Sequence, residues 1–436
     1  MPRPITLSTL YLCYFGLREP LVQTQVLPYL RHLAAAGVRV HLLTFEPDMR
    51  ERWTGAQLNA ERARLAADGI AWHCLAYHKR PSLPATLYDT LAGALASVRL
   101  ARRERLDVLH ARAHVPMAMA LLARPFARCR MVFDLRGLIA EEYADAGVWK
   151  ENSLPFRLVK WIERAGLRRA DQIVVLTKRV RDYIVEQGLA GPEKMEVIPC
   201  CVDFSRYESA GDSAALTAGD GGAIPSAGAA EGDKAGGRFE VIYAGAVTGL
   251  YMLEEMGRFF LAVRASRPGA FFRVLTKAPP AEAAARLASA GLDARDFAVE
   301  SAAPSEVPGY LRRARLGVSF RKPTFSQIAA SPTKVPEYLA AGLPVVSNAG
   351  IGDTDALLEE EEVGVIVEKF DAESYAAAAR DALALADDPR TAARCELVAA
   401  GRFDLARVGG VGYTNVYRRI SEQHFSGGLR RPHGRQ

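Results

Sequence analysis

The stretch SPTKVPEYLAAGLPVVSNAG, residues 331–350, decides how the chain is read. Ser331, Pro332 and Thr333 make a helix entrance, and a short helix runs on through Ala341. Gly342-Leu343-Pro344 stops it, and Val345-Val346-Ser347 reads as a buried strand. Pro336 fits only in the first turn, where its missing N–H has no intrahelical partner to lose. Gly342 and Pro344 end the helix abruptly. A helix this short between two strands presents its N-terminus at the carboxyl edge of a sheet, where doubly wound folds bind ligands. Its free N–H groups suit a phosphate. Lys334 is disfavoured beside the positive end of a helix unless an anion lies between them. Glu337, one turn in, can accept hydrogen bonds from two adjacent sugar hydroxyls. A structural reading stands beside this one: the dipole alone favours a first-turn Glu, and an exposed Lys usually points into solvent.

As a set, Lys334-Val-Pro-Glu337-Tyr-Leu-Ala-Ala-Gly-Leu-Pro-Val-Val346 resembles the nucleotide-sugar signature of glycosyltransferase family 4 and its GT-B relatives. The similarity extends over nearly the whole chain. It implies an α/β fold of two doubly wound Rossmann-like domains facing a central cleft. It also implies that Glu337 holds the donor's ribose, that the helix mouth meets the diphosphate, and that anomeric configuration is retained.

A chain of 436 residues should form two or three domains, each large enough for its own core. Its 49% hydrophobic and 24% charged residues are those of an ordinary soluble globular protein. No apolar run approaches the roughly 18 residues that would suggest a membrane span. Arg3 followed by residues 5–15 imitates a short signal sequence, but no small-residue cleavage site precedes Arg18-Glu19. A first buried strand is therefore expected. The six cysteines include no C-x-x-C pair, so neither a metal nor a disulfide framework is expected and a cytoplasmic location is favoured. The net charge of +6 admits nucleic acid, anionic lipid or phosphorylated ligands. No nucleic-acid motif accompanies it, which leaves phosphates on small molecules and peripheral contact with the inner face of a membrane.

Short apolar runs alternate with helical patterns, the signal of parallel α/β sheets. The expected strands are 5–15, 38–45, 70–77, 107–112, 130–135, 172–176 and 195–199, then 239–244, 271–275, 297–300, 316–320, 344–347 and 363–368. Helices are expected at 21–36, 83–105 and 115–127, among others. The Gly-, Ala- and Ser-rich run at 208–237 has no aromatic residue and cannot build a core. The domains follow: 1–205 on the acceptor side, a linker at 206–238, a nucleotide-sugar-binding domain at 239–402, a helix at 403–423 and a tail at 424–436. In the resembling family the last helix packs back on the first domain.

Several loops at strand ends carry polar residues. Phe15-Gly16-Leu17-Arg18-Glu19-Pro20 holds a single Gly, so it is no G-x-G-x-x-G dinucleotide fingerprint. In the family this loop is glycine-rich and faces acceptor and donor phosphates; a plain strand-to-helix turn is the alternative. In His110-Ala-Arg-Ala-His114, His110 and Arg112 share a strand face and His114 lies in the loop beyond. These histidines make a poor metal site, and His110 either meets a sugar hydroxyl or is a satisfied structural histidine. Asp134-Leu-Arg136-Gly137 stands where many family members carry His-Gly, and Arg136 cannot act as a base but can fork onto a carboxylate or phosphate. Asp134 points to the same side and can pair with it. Glu141 and Glu142 follow as alternative acceptor contacts.

The segments 163–177 and 197–203 also resemble the family, with Cys200-Cys201 replacing its Asn-Gly, and buried thiols are expected there. Gly245 and Gly249 allow close backbone approach to a donor phosphate. The family's Arg and Lys-Gly pair is missing from Leu250-Tyr251-Met252, so Arg321, Lys322 and Lys334 are the expected diphosphate cations. Ala329 replaces the first Glu of the family's Glu-x7-Glu pair. Asp353-Thr-Asp355 has metal-site spacing, but either Asp is as easily a helix cap.

The candidates for catalysis are thus Arg136, His114 and Lys334. Those for donor binding are Glu337, Lys334, Arg321, Lys322, Gly245, Ser331 and Thr333, and those for the acceptor side are Gly16, His110 and Asp134. No metal ligand and no cofactor is expected. The expected reaction moves a sugar from a nucleotide-diphosphate sugar to a hydroxyl of a carbohydrate or lipid-linked acceptor, as in polysaccharide or glycoconjugate synthesis. The alternatives are a nucleotide-sugar 2-epimerase on the same fold, which would need carboxylates and His placed for proton abstraction, and a non-catalytic sugar-nucleotide sensor.

Overall fold

The computed structural model describes residues 5–208 and 238–428. It comprises two compact units, one of residues up to Pro199 together with those from Leu405, the other Cys200–Asp404.

The first unit holds seven strands: β1 (Ser8–Cys13), β2 (Arg39–Pro47), β3 (Ile70–Tyr77), β4 (Val108–Arg112), β5 (Arg130–Asp134), β6 (Gln172–Val175) and β7 (Met195–Val197). Their order is β3-β2-β1-β4-β5-β6-β7, every pair parallel. All six residues of β1 and all five of β4 are buried, as strands covered by helices on both faces must be. The order reverses between β1 and β4, so a crevice opens at their carboxyl ends.

The second unit holds β8 (Glu240–Ala244), β9 (Phe271–Leu275), β10 (Phe297–Glu300), β11 (Leu316–Ser319), β12 (Val345–Asn348) and β13 (Gly364–Val367). The order β10-β9-β8-β11-β12-β13 is again all parallel, with the reversal between β8 and β11. Two parallel sheets flanked by helices make this an α/β protein of doubly wound units.

Each expected strand exists, with its ends moved by at most three residues. Three helical expectations change. The segment 21–36 is two helices, Pro20–Gln25 and Leu27–Ala35, broken at Val26; Pro28 cannot donate into a continuous helix, and it disfavours helical backbone before it. His114 is not in a loop but opens the helix His114–Ala127. The segment 403–423 is not one helix: Thr391–Phe403 ends, a π-turn spans Leu405–Gly410, and a new helix runs Val411–Gly428. That last helix belongs to the first unit, and its backbone continues into the expected tail. Most of the expected linker, 206–238, lies outside the described residues, its first three residues belonging to the helix Ser205–Glu208.

Candidate functional site

The helix Lys334–Ala340 follows β11 and docks at the sheet reversal of the second unit. Two glycines let it come close. A Cβ on Gly317 would lie 2.4 Å from the Tyr338 ring, and one on Gly245 would lie 2.6 Å from the Lys334 ammonium. Tyr338 ties the helix to both strands, because its hydroxyl accepts from the Ala244 N–H at 3.0 Å and donates to the Val318 carbonyl. Gly342, at φ +72°, reverses the chain into β12.

The loops after β8 and β11 meet at this point. Lys322 N–H donates to the Leu250 carbonyl at 2.9 Å, and Met252 N–H to that of Phe320 at 3.1 Å. This bridging puts Tyr251 against the cations expected to meet a phosphate. Lys334 Nζ lies 4.2 Å from the Tyr251 ring centre and 5.5 Å from that of Tyr243. The Arg321 guanidinium lies 4.8 Å from the Tyr251 ring. Gln327 braces Arg321, accepting from its Nε at 2.6 Å, while Asn348 accepts from its backbone N–H at 2.8 Å.

Lys334 is only 5% exposed. Among the described residues, neither it nor Arg321 has a carboxylate within ion-pair distance. Burial alone would push the Tyr251 hydroxyl up, but the charges of Lys334 and Arg321 outweigh it and bring it below its ordinary value. Glu337 is one-quarter exposed and lies 3.6 Å from Arg206. Its burial pushes the carboxyl up, against the opposing pull of Arg206 and Lys334. The Ser331 hydroxyl accepts from the Cys200 N–H at 3.0 Å, and Thr333 occupies the cap position of the helix without a side-chain cap bond. Cys200 and Cys201 are buried free thiols.

In the first unit, while Gly16 lies apart from them, His110, Arg112 and Arg136 gather around Asp134, which is fully buried. Its carboxylate accepts from Tyr413 at 2.9 Å and from Tyr11 at 3.3 Å, and lies 3.3 Å from Arg112 and 3.4 Å from Arg136. Burial raises the Asp134 carboxyl, but the charges of Arg136 and Arg112 and the nearby His110 hold it well below the usual range. His110 is fully buried, its Nδ1 3.0 Å from the Tyr417 hydroxyl, and burial pushes its proton affinity down. A substrate hydroxyl reaches neither His110 nor Asp134 in this arrangement. Arg136, with a tenth of its side chain exposed, is the outer member of the group.

His114 is buried against Glu163 at 3.1 Å, and Lys160 joins them at 2.5 Å from the same carboxylate. Gly16 sits over Glu46 and Pro47, with no room for a Cβ. Glu46 holds this loop by accepting from the Leu17 N–H at 2.9 Å. Asp355 accepts from the Gly350 N–H at 2.9 Å, and no group of three His, Cys, Asp or Glu side chains among the described residues could hold a metal ion.

Sequence reasoning missed Tyr251, Gln327, Arg206, Tyr413 and Tyr417. Only Tyr251 left a trace, as the residue standing where basic ones were missing.

Residues 22–206 match the model of Glycosyltransferase Family 4. No curated protein sequence matches the chain. The fold is that of GT-B glycosyltransferases. Sucrose-phosphate synthase from Thermosynechococcus elongatus superposes with a TM-score of 0.67 at 16% identity, over 97% of this chain and 100% of that one. Anabaena HepE, in complex with UDP and glucose, does so at 0.59 and 14%, over 96% and 100%. So does α,α-trehalose 6-phosphate synthase from Burkholderia multivorans, at 0.65 and 13%, over 99% and 100%.

Proposed function

We propose, from a Glycosyltransferase Family 4 match at residues 22–206 on a GT-B fold, that this protein transfers a sugar from a nucleotide-diphosphate sugar to an acceptor hydroxyl. The observation that carries the reading is Lys334, a buried cation without a carboxylate, beside Arg321 at the sheet reversal of the second unit. Leaving a cation unpaired in low dielectric costs several kcal/mol, roughly; a bound diphosphate would offset that cost. Lys334 and Arg321 would then stabilise the charge that develops on the departing diphosphate, with Lys322 and Thr333 beside it. Gly245 would let its backbone approach the phosphate. Glu337 would accept hydrogen bonds from the ribose hydroxyls, and Ser331 would position the segment before the helix through Cys200.

In the first unit, Arg136 would meet the acceptor, held by Asp134, while His110 and His114 support that loop edge from within the core. Gly16 would line the same edge. A carbohydrate or lipid-linked acceptor, retention of configuration, and transfer without metal or cofactor complete the reading. A 2-epimerase would need a base placed for proton abstraction, and the Glu337 carboxylate beside Lys334 is 3.6 Å from Arg206.

Titration calorimetry with UDP-, GDP- and dTDP-sugars tests the proposal. Binding of at least one of them, weakened about tenfold or more by Lys334→Met, is expected. Absence of binding by all three would overturn it.

A further inference from the structure

Three helices of the first unit carry an unusual outer surface. In the helix Ser82–Glu104, Leu83, Leu87, Leu91 and Leu95 recur every fourth residue and are each 50% to 61% exposed. Spacing of four places them in one row along the helix, and Tyr88 beside them is equally exposed. The next residue in that row is the exposed Arg99. This helix packs on His114–Ala127, which packs in turn on the helix Leu154–Arg169. Arg102 Nε donates to the Phe126 carbonyl, and Gly93 lies against Met119, so the first two helices run side by side in register. Phe126 and Leu122 extend the apolar surface there, and Leu154, Leu158 and Trp161 form a second exposed row on the third helix.

Charge on these helices is one-sided. They contain three acids: Asp89 and Glu163 are buried in polar contacts, and Glu104 is the last residue of its helix. Exposed arginines border the apolar rows, among them Arg99, Arg157, Arg164 and Arg168, while Arg103 pairs with Glu104 at 2.7 Å. A single exposed Leu means little, but ten large apolar side chains on packed neighbours mark an interaction surface. Apolar rows edged by arginine and free of exposed acid match an anionic bilayer, into which the leucines and Trp161 would insert while the guanidinium groups meet lipid phosphates. No helix of the described residues is long and apolar enough to cross a membrane, so the contact would be in-plane.

We propose that this three-helix face docks the protein on the surface of an anionic phospholipid bilayer. The docking does not depend on the reaction assigned above.

Vesicle flotation of the full chain tests it, using phosphatidylglycerol-containing and pure phosphatidylcholine vesicles. The protein should float with the first and not the second, and raising the salt should weaken the binding. The double variant Leu87→Asp/Leu91→Asp, at exposed sites, should weaken it by about tenfold or more. Arg99→Glu/Arg164→Glu should weaken it by at least about fivefold for each arginine lost. Each variant should keep the wild-type melting temperature. Flotation that ignores lipid charge, or variants that float like wild type, would overturn the proposal. So would a dimer in vesicle-free solution that Leu87→Asp/Leu91→Asp dissolves, because the face would then join two copies of the chain.

Discussion

The ammonium of Lys334 lies 4.2 Å from the centre of the Tyr251 ring, and among the described residues no carboxylate lies within ion-pair distance of it. A cation over a desolvated aromatic face gains about 2 kcal/mol, while burial of an uncompensated charge costs several. A bound diphosphate, as proposed above, would offset that cost.

Lys334→Met keeps the apolar stem and removes the charge. Its melting temperature without ligand should equal or exceed that of wild type. Loss of a charge-assisted hydrogen bond, roughly 1.5–3 kcal/mol, should weaken nucleoside diphosphate binding by about ten- to a hundredfold. A ligand-induced rise in melting temperature equal in both proteins would remove Lys334 from the site.

Gly245→Ala should reproduce much of that loss without touching a charge. The new Cβ would meet the Lys334 side chain at 2.3 Å, and so would move the ammonium. Calorimetry with the best-bound nucleoside diphosphate should show weaker binding, and unchanged affinity would mean that the ammonium's place does not matter.

Glu337 should make donor binding pH-dependent. Its carboxyl is raised above its ordinary 4.5, and the ionised form would accept more strongly from the ribose hydroxyls of the proposed donor. Affinity should therefore fall as pH is lowered through that raised value, beginning above 4.5. Glu337→Gln should bind less tightly at neutral pH and show no such fall. The raised carboxyl also disfavours the folded state once ionised, so Glu337→Gln should not lower the melting temperature at pH 7.

Tyr251 should ionise below the ordinary 10, because Lys334 and Arg321 favour its phenolate. Ultraviolet titration should find one tyrosine titrating early, absent in Tyr251→Phe and moved upward in Lys334→Met. A bound diphosphate should also move it upward, by drawing off the same charges.

Asp134→Asn should destabilise the first unit by about 3–5 kcal/mol at pH 7, since it leaves Arg112 buried without its ion pair. The carboxyl is depressed in the folded state, so its contribution is present above the unfolded value of 3.8 and lost as pH falls below it. Urea midpoints for wild type and variant should therefore converge in acid.

Much of this architecture was legible in the chain. Parallel strands buried on both faces are near-continuous apolar runs, which is why β6, β11 and β12 stand where their sequences place them. The helix stop at Gly342-Leu343-Pro344 was equally plain, because a positive φ and a missing donor are local properties. The break at Val26 was less so, since the pattern of apolar residues continues across it and only Pro28 marks the change.

The sequence by itself determined the alternation of strand and helix, the short helix entered at Lys334, and the chemistry available at its mouth. Tertiary structure decided which side chains meet there. Tyr251 faces Lys334 because β8 and β11, 76 residues apart at their first positions, lie side by side and bring their following loops together. Tyr413 reaches Asp134 across 279 residues because the last helix belongs to the first unit. Local pattern records how each segment folds against an apolar interior. It carries no record of which distant segments share that interior, because their pairing depends on sheet order and packing rather than on any periodicity within a window.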